Sequence, residues 1–323
     1  MRSLTLATAA AIFASASFAS AAPLNSARPE LRPMNSVWTT DGIQQRYFTA
    51  DSQYEDVKKL LRDLAARHPD TSEVVEVGPS DSGDTILALK VGDGRTHNLI
   101  VATHHGNEYG STEVGAAMAA SLAAAPIAGQ TLFIIPVLNV EGFNAREREE
   151  SARGVSWDPN RDYPGPCTTG TPHNLKSTLS LAHFVERHDI VASATLHTYW
   201  PAVVYPWGLS TPDTSTPYDE PFARLAEAAT QESHYAVGNS TLIMYPADGT
   251  YEDYAFWRHG IWSLLFELGP SHAPNDPQIE QMIRVNVPGI RRFFEMAPHV
   301  RATEHDFKGR CENGLRLLDL QVE

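Results

Sequence analysis

The sequence predicts an α/β fold built on a largely parallel or mixed sheet with helices packed on both faces. Three observations carry this. Short apolar runs of strand length alternate with longer segments of helical period. The runs are apolar throughout, as strands covered on both faces are. His105, Glu108, His197 and Glu267 fall at or near the ends of those runs, where open α/β sheets bind their ligands.

The elements follow in chain order. Met1-Arg2, an Ala-rich apolar stretch to about Phe18 and the small residues Ala19-Ser20-Ala21 read as a secretory signal peptide over residues 1–21. Residues 22–50 include a Pro/Ser/Asn-rich stretch and are assigned to an N-terminal arm. Ser52-Gln53-Tyr54-Glu55 is a capping-box pattern, and Tyr54, Val57, Leu61 and Leu64 then recur on one helical face. After Pro69 the period changes. Val74–Val77, Ile86–Val91, Leu99–Thr103 and Thr131–Val140 read as strands, with an Ala-rich helix over about Glu113–Ala125. Helices are expected near Thr178–Arg187 and Pro221–Ser233, strands over 190–197 and 261–268, and a last helix over about Pro277–Met296. The catalytic domain is assigned to 51–300 and a C-terminal tail to 301–323.

Charge and composition narrow the function classes. With 25 basic against 39 acidic residues, the net charge of −14 argues against nucleic acid or an anionic membrane surface as partner. After residue 21 no segment offers the roughly 18 uninterrupted apolar residues of a membrane helix, so the expectation is a soluble, exported protein, secreted or periplasmic. Two cysteines, Cys167 and Cys311, are too few for a disulfide-dense scaffold. They can form one bridge between the tail and the loop after Arg161, or stand as two thiols.

Three separated segments carry the chemistry. His105-Gly106-Asn107-Glu108 follows an apolar run, Leu196-His197-Thr198-Tyr199 ends another, and Leu264–Gly269 is a strand holding one acid, Glu267. A carboxylate inside an apolar strand needs a chemical reason. A histidine and a glutamate three apart on the turn after a strand can converge on one ion with a second histidine from a neighbouring strand end, and His2Glu is an attested catalytic zinc set. His104 is a rival ligand by position, but its spacing to Glu108 is four rather than three.

With their flanking residues, these segments resemble the zinc metallocarboxypeptidases of the carboxypeptidase A/B family. The resemblance implies a three-layer α/β/α sandwich around a mixed, mostly parallel, eight-stranded twisted sheet, and removal of single residues from peptide or protein C-termini by a monomer. It implies one zinc ion per chain, held by His105, Glu108 and His197, with Glu267 as the general base that later protonates the leaving amine. In Asp158-Pro159-Asn160-Arg161 it implies that Asn160 and Arg161 hold the terminal carboxylate, Arg161 through its planar fork, and that Asp158 orients His105. Tyr245 matches a tyrosine that closes over the bound residue. Glu252 falls where a pocket residue sets the terminal side-chain preference, and an acid there favours Lys or Arg; the alternative is a first-turn helix residue facing water.

The resemblance also implies an arginine that stabilises the oxyanion. Arg146, Arg148 and Arg153 all lie in the corresponding region, Arg148 being favoured, and Ser156-Trp157 looks like an insertion. Two other functions stay open: a zinc amidohydrolase acting on cell-wall stem peptides or N-acyl amino acids, and a non-catalytic binding protein on the same fold.

Overall fold

A computed structural model describes residues 46–311. The expected signal peptide, most of the expected arm and the end of the expected tail lie outside the described residues. Helix α1 (Tyr54–Arg67) is followed by β1 (Ser72–Pro79), β2 (Thr85–Val91), β3 (Thr96–Ala102), α2 (Tyr109–Ala124), β4 (Gln130–Ile135) and α3 (Val140–Ala145). A small hairpin, β5 (Glu150–Ala152) and β6 (Val155–Trp157), leads into a single 3-10 turn at Pro159–Arg161. Then come α4 (Lys176–Arg187), β7 (Ala192–His197), β8 (Ala202–Tyr205), α5 (Asp219–Ala229), β9 (Ala236–Asn239), α6 (Ser240–Ile243), α7 (Tyr251–His259), β10 (Trp262–Glu267) and α8 (Asp276–Met296).

Eight strands form one sheet in the order β1-β2-β4-β3-β7-β10-β8-β9, with β5 and β6 apart. The four central strands β4, β3, β7 and β10 run parallel, and β8 returns antiparallel to β10. Alternation along β3 sends Ile100 and Ala102 into one apolar core and Leu99 and Val101 into the other. Helices α2, α5 and α8 cover the first face, and α4 with most of α7 covers the second, so the three-layer expectation holds. Packing continues on both sides of residues 51–300: the Phe48 side chain is buried, and the Ala302 N–H donates to the Gly260 carbonyl at 2.7 Å.

Several expected boundaries are corrected. The first helix is capped by Gln53 rather than Ser52, with the Gln53 N–H donating to Asp56 Oδ2 at 2.9 Å, while the Ser52 hydroxyl accepts from the Thr49 N–H at 3.0 Å. Its buried face is the expected Tyr54, Val57, Leu61 and Leu64. The strand expected over Thr131–Val140 stops at Ile135, because the chain turns at Pro136 and re-enters helix at Val140. Ser156 and Trp157 form part of β6. Cys167 and Cys311 are joined in a disulfide with a Cα–Cα distance of 5.3 Å.

Candidate active site

Parallel pairing brings three strand ends side by side. Ala102, the last residue of β3, pairs with Leu196, and His197 pairs with Glu267 on β10. Beyond β3 the chain turns at Thr103, a β-branched residue held at φ 59°, whose hydroxyl donates to the Pro136 carbonyl at 2.9 Å. The turn delivers His105. Gly106 is required there, since a Cβ would lie 1.9 Å from the Gly142 carbonyl carbon. Glu108 sits at the N-cap of α2 but aims its carboxylate inward, where Oε2 accepts the Thr198 N–H at 2.9 Å.

The three side chains meet through particular atoms. His105 Nδ1 lies 2.7 Å from Glu108 Oε1, His197 Nδ1 lies 3.2 Å from Glu108 Oε2, and the two Nδ1 atoms are 3.3 Å apart. All three residues are buried, and their ligand atoms lie within 4.8 Å of one another. Tetrahedral zinc at about 2.0–2.1 Å from nitrogen separates its ligands by about 3.3–3.4 Å, so this donor set fits zinc. No other group of three such side chains meets that spacing among the described residues. His104 is set apart: its Nε2 lies 3.1 Å from the Tyr163 hydroxyl, and its ring stacks on His197 at 5.3 Å.

Around the triad, the other ring nitrogen of His105 lies 2.9 Å from Asp158 Oδ1. Asp158 also accepts from Arg148, at 3.2 Å from Nε and 2.8 Å from a terminal nitrogen. Burial favours the neutral form of His105, but Glu108 and Asp158 outweigh it and push the ring up to about 9. A metal held at this ring would therefore displace a proton. Burial would likewise raise Glu108 and Asp158, yet the histidines hold Glu108, and His105 with Arg148 hold Asp158, well below the usual carboxylate range. Glu267 goes the opposite way, pushed well above that range by burial and then by the Glu108 charge.

One cavity of about 330 Å³ gathers most of the expected residues: His105, Glu108, His197, Glu267, Arg148, Asn160, Arg161, Tyr245 and Glu252 all line it. Asn160 is fixed by the Tyr251 N–H, which donates to its Oδ1 at 2.9 Å. Arg161 donates to the Tyr245 hydroxyl at 3.3 Å, and Tyr245 is half exposed. Of the three candidate arginines, only Arg148 lines the cavity. Arg146 donates to the Ala50 and Phe143 carbonyls and lies over the Tyr109 ring at 4.5 Å, while Arg153 occupies the hairpin turn between β5 and β6 at φ 55°. Glu252 does not face open water; it is buried.

Sequence reading missed Thr195, whose hydroxyl donates to Glu252 Oε1, and the Thr198 N–H on Glu108. Period-two spacing from His197 was the available signal for Thr195. The cavity also has an aromatic rim, where Tyr199 meets His272 edge to face at 4.8 Å beside an exposed Trp200.

The pattern defining a family described as zinc carboxypeptidase matches residues 57–289. The chain is 26% identical to carboxypeptidase A4 of Mus musculus over 168 residues, which is 42% of this chain and 40% of that protein. It is 24% identical to carboxypeptidase SOL1 of Arabidopsis thaliana over 269 residues, 73% of this chain and 53% of that protein. The chain thus spans about half the length, or less, of these relatives. Among solved structures, bovine thrombin-activatable fibrinolysis inhibitor in complex with tick carboxypeptidase inhibitor superposes with a TM-score of 0.71 at 19% identity, over 78% of this chain and 97% of that one. Carboxypeptidase A from Helicoverpa armigera gives 0.68 at 18% identity, over 76% and 73%. At these identities the structures establish the shared fold.

Proposed function

The chain belongs to the zinc carboxypeptidase family, and on that premise we propose that it is an exported zinc-dependent carboxypeptidase that hydrolyses the last peptide bond of peptides and proteins, with preference for C-terminal Lys or Arg. The observation that carries this reading is the convergence of His105, Glu108, His197, Glu267, Asn160, Arg161 and Tyr245 on one cavity. Bound by His105, Glu108 and His197, zinc supplies Lewis-acid polarisation of a carbonyl and acidifies water.

The chain's own residues do the rest. Asp158 holds the His105 ring in the orientation that points Nδ1 at Glu108. Glu267, with a buried oxygen that lacks a partner among the described residues, takes a proton from the attacking water and returns it to the leaving amine. Its raised proton affinity beside the ionised Glu108 supports that division of roles between two carboxylates. Arg148 offers a guanidinium to the developing oxyanion. Arg161 and Asn160 hold the terminal carboxylate while Tyr245 closes over the terminal residue, and Glu252 attracts a basic side chain.

Export is supported by the Cys167–Cys311 disulfide, a bond of oxidising compartments, alongside the signal-peptide pattern of residues 1–21. No helix among the described residues is long and apolar enough to cross a membrane. Residues 51–300 are the catalytic domain in this reading. A mixture of peptides with varied C-terminal residues, incubated with the protein with and without a zinc chelator and read by mass spectrometry, tests it. Chelator-sensitive loss of single C-terminal residues is expected, and intact peptides with zinc bound would refute it.

A further inference from the structure

Glu252 is 5% exposed, yet its Oε2 has no hydrogen-bond partner among the described residues. An unpaired buried carboxylate oxygen is costly unless a donor or cation meets it. The other oxygen, Oε1, already accepts the Thr195 hydroxyl. Val204, Leu265 and Met244 give the same cavity apolar wall. The neighbouring acid Asp253 does not compete for a cation at neutral pH. Burial pushes it up to about 8, and both its oxygens lie 3.0 Å from the Gly208 N–H they accept.

We propose, resting on the reading of this cavity as the pocket for a basic terminal residue, that it selects C-terminal lysine over arginine and that Thr195 is the residue that sets the selection. An ammonium is a compact charge on a flexible apolar stem and can be met by a single free oxygen. A guanidinium presents a rigid fork of donors, and it exceeds the ammonium only when both carboxylate oxygens receive it side by side. With Oε1 already accepting from Thr195, one of its lone pairs is engaged and its direction is set, so a bound arginine makes the second bond of the pair less well. Lysine needs only the partnerless Oε2.

The test compares kcat/KM of the zinc-loaded protein on matched peptides ending in Lys, Arg and Phe. Lysine should exceed arginine roughly tenfold, the effect of one charge-assisted hydrogen bond lost. Thr195→Val frees Oε1 and should shrink the Lys/Arg ratio several-fold, whereas Thr195→Ser, which keeps the hydroxyl, should preserve it. Calorimetric binding of N-acetyl-lysine and N-acetyl-arginine to the zinc-loaded Glu267→Gln protein should give the same order without turnover. Arginine equal to or better than lysine, with both above phenylalanine, overturns this inference and leaves the basic-terminus reading standing. Phenylalanine preferred to both overturns that reading and the inference with it. Should Thr195→Val not fold, the wild-type ratio and the calorimetric order decide.

Discussion

Glu108 and Glu267 are two carboxylates at one buried site whose proton affinities are driven apart, one by two histidines and the other by burial and its neighbour's charge. If Glu267 moves the proton and Glu108 holds metal, Glu267→Gln should lower kcat by about 10²–10⁴-fold with zinc content unchanged, read by turnover and metal analysis on one preparation. Zinc lost along with activity would instead make Glu267 part of the metal site. Away from the site, burial pushes Glu113 and Glu150 up to about 7 from 4.5, although Glu113 accepts the Tyr47 and Phe48 N–H groups and Glu150 the Ser177 hydroxyl. Between those pH values these two carboxyls bind more protons in the folded chain than in the unfolded one, so the stability they contribute should fall as pH rises through about 5 to 7 and level off above, while the lowered pKa of His104 and His259 works the opposite way. Glu113→Gln should flatten that slope by on the order of 1–3 kcal/mol, read from denaturant midpoints across the range. An unchanged slope would mean that Glu113 is ionised in the folded chain at pH 5.

At the scale of elements, long helices and strand-length apolar runs were legible and most short pieces were not. Tyr54, Val57, Leu61 and Leu64 announced α1 because only one of its faces is buried. Helix α7 was read only as an alternative, with Glu252 in a first turn facing water, because Tyr251 through Phe256 are all buried, which erases the period. Strands β8 and β9 are four residues each, too short for a pattern to rise above its surroundings. The same limit applies to the disulfide, whose cysteines are 144 residues apart. It ties the tail to the loop beyond Arg161, where the Tyr163 N–H donates to the Gly249 carbonyl at 3.1 Å. Opening so large a loop releases about 3–5 kcal/mol of chain entropy in the unfolded state. The Cys167→Ser, Cys311→Ser double variant should therefore melt roughly 5–15 °C lower by calorimetry. An unchanged melting temperature would show that the tail's other contacts hold it in place.

For the whole molecule, zinc held by His105, Glu108 and His197 would add a tie between the turn after β3 and the end of β7, which the Thr198 N–H on Glu108 and the β3–β7 ladder already join. A ligand that binds only the folded chain stabilises it by mass action. Chelation should accordingly abolish turnover and lower the melting temperature together, and added zinc should restore both. Activity that survives chelation would remove the metal from the reaction.

The sequence by itself determined the α/β class, because strand-length apolar runs are local properties, and it pointed to the His105, Glu108 and His197 donor set and the acid Glu267 through the family resemblance of their flanking residues. Only the tertiary structure decided which arginine reaches the cavity, that Glu252 is buried against Thr195, and that the cysteines pair. Those outcomes depend on contacts between residues 10 to 144 positions apart, such as Arg148 with Asp158 and Thr195 with Glu252. Strand order and register create such contacts, and no local pattern encodes them.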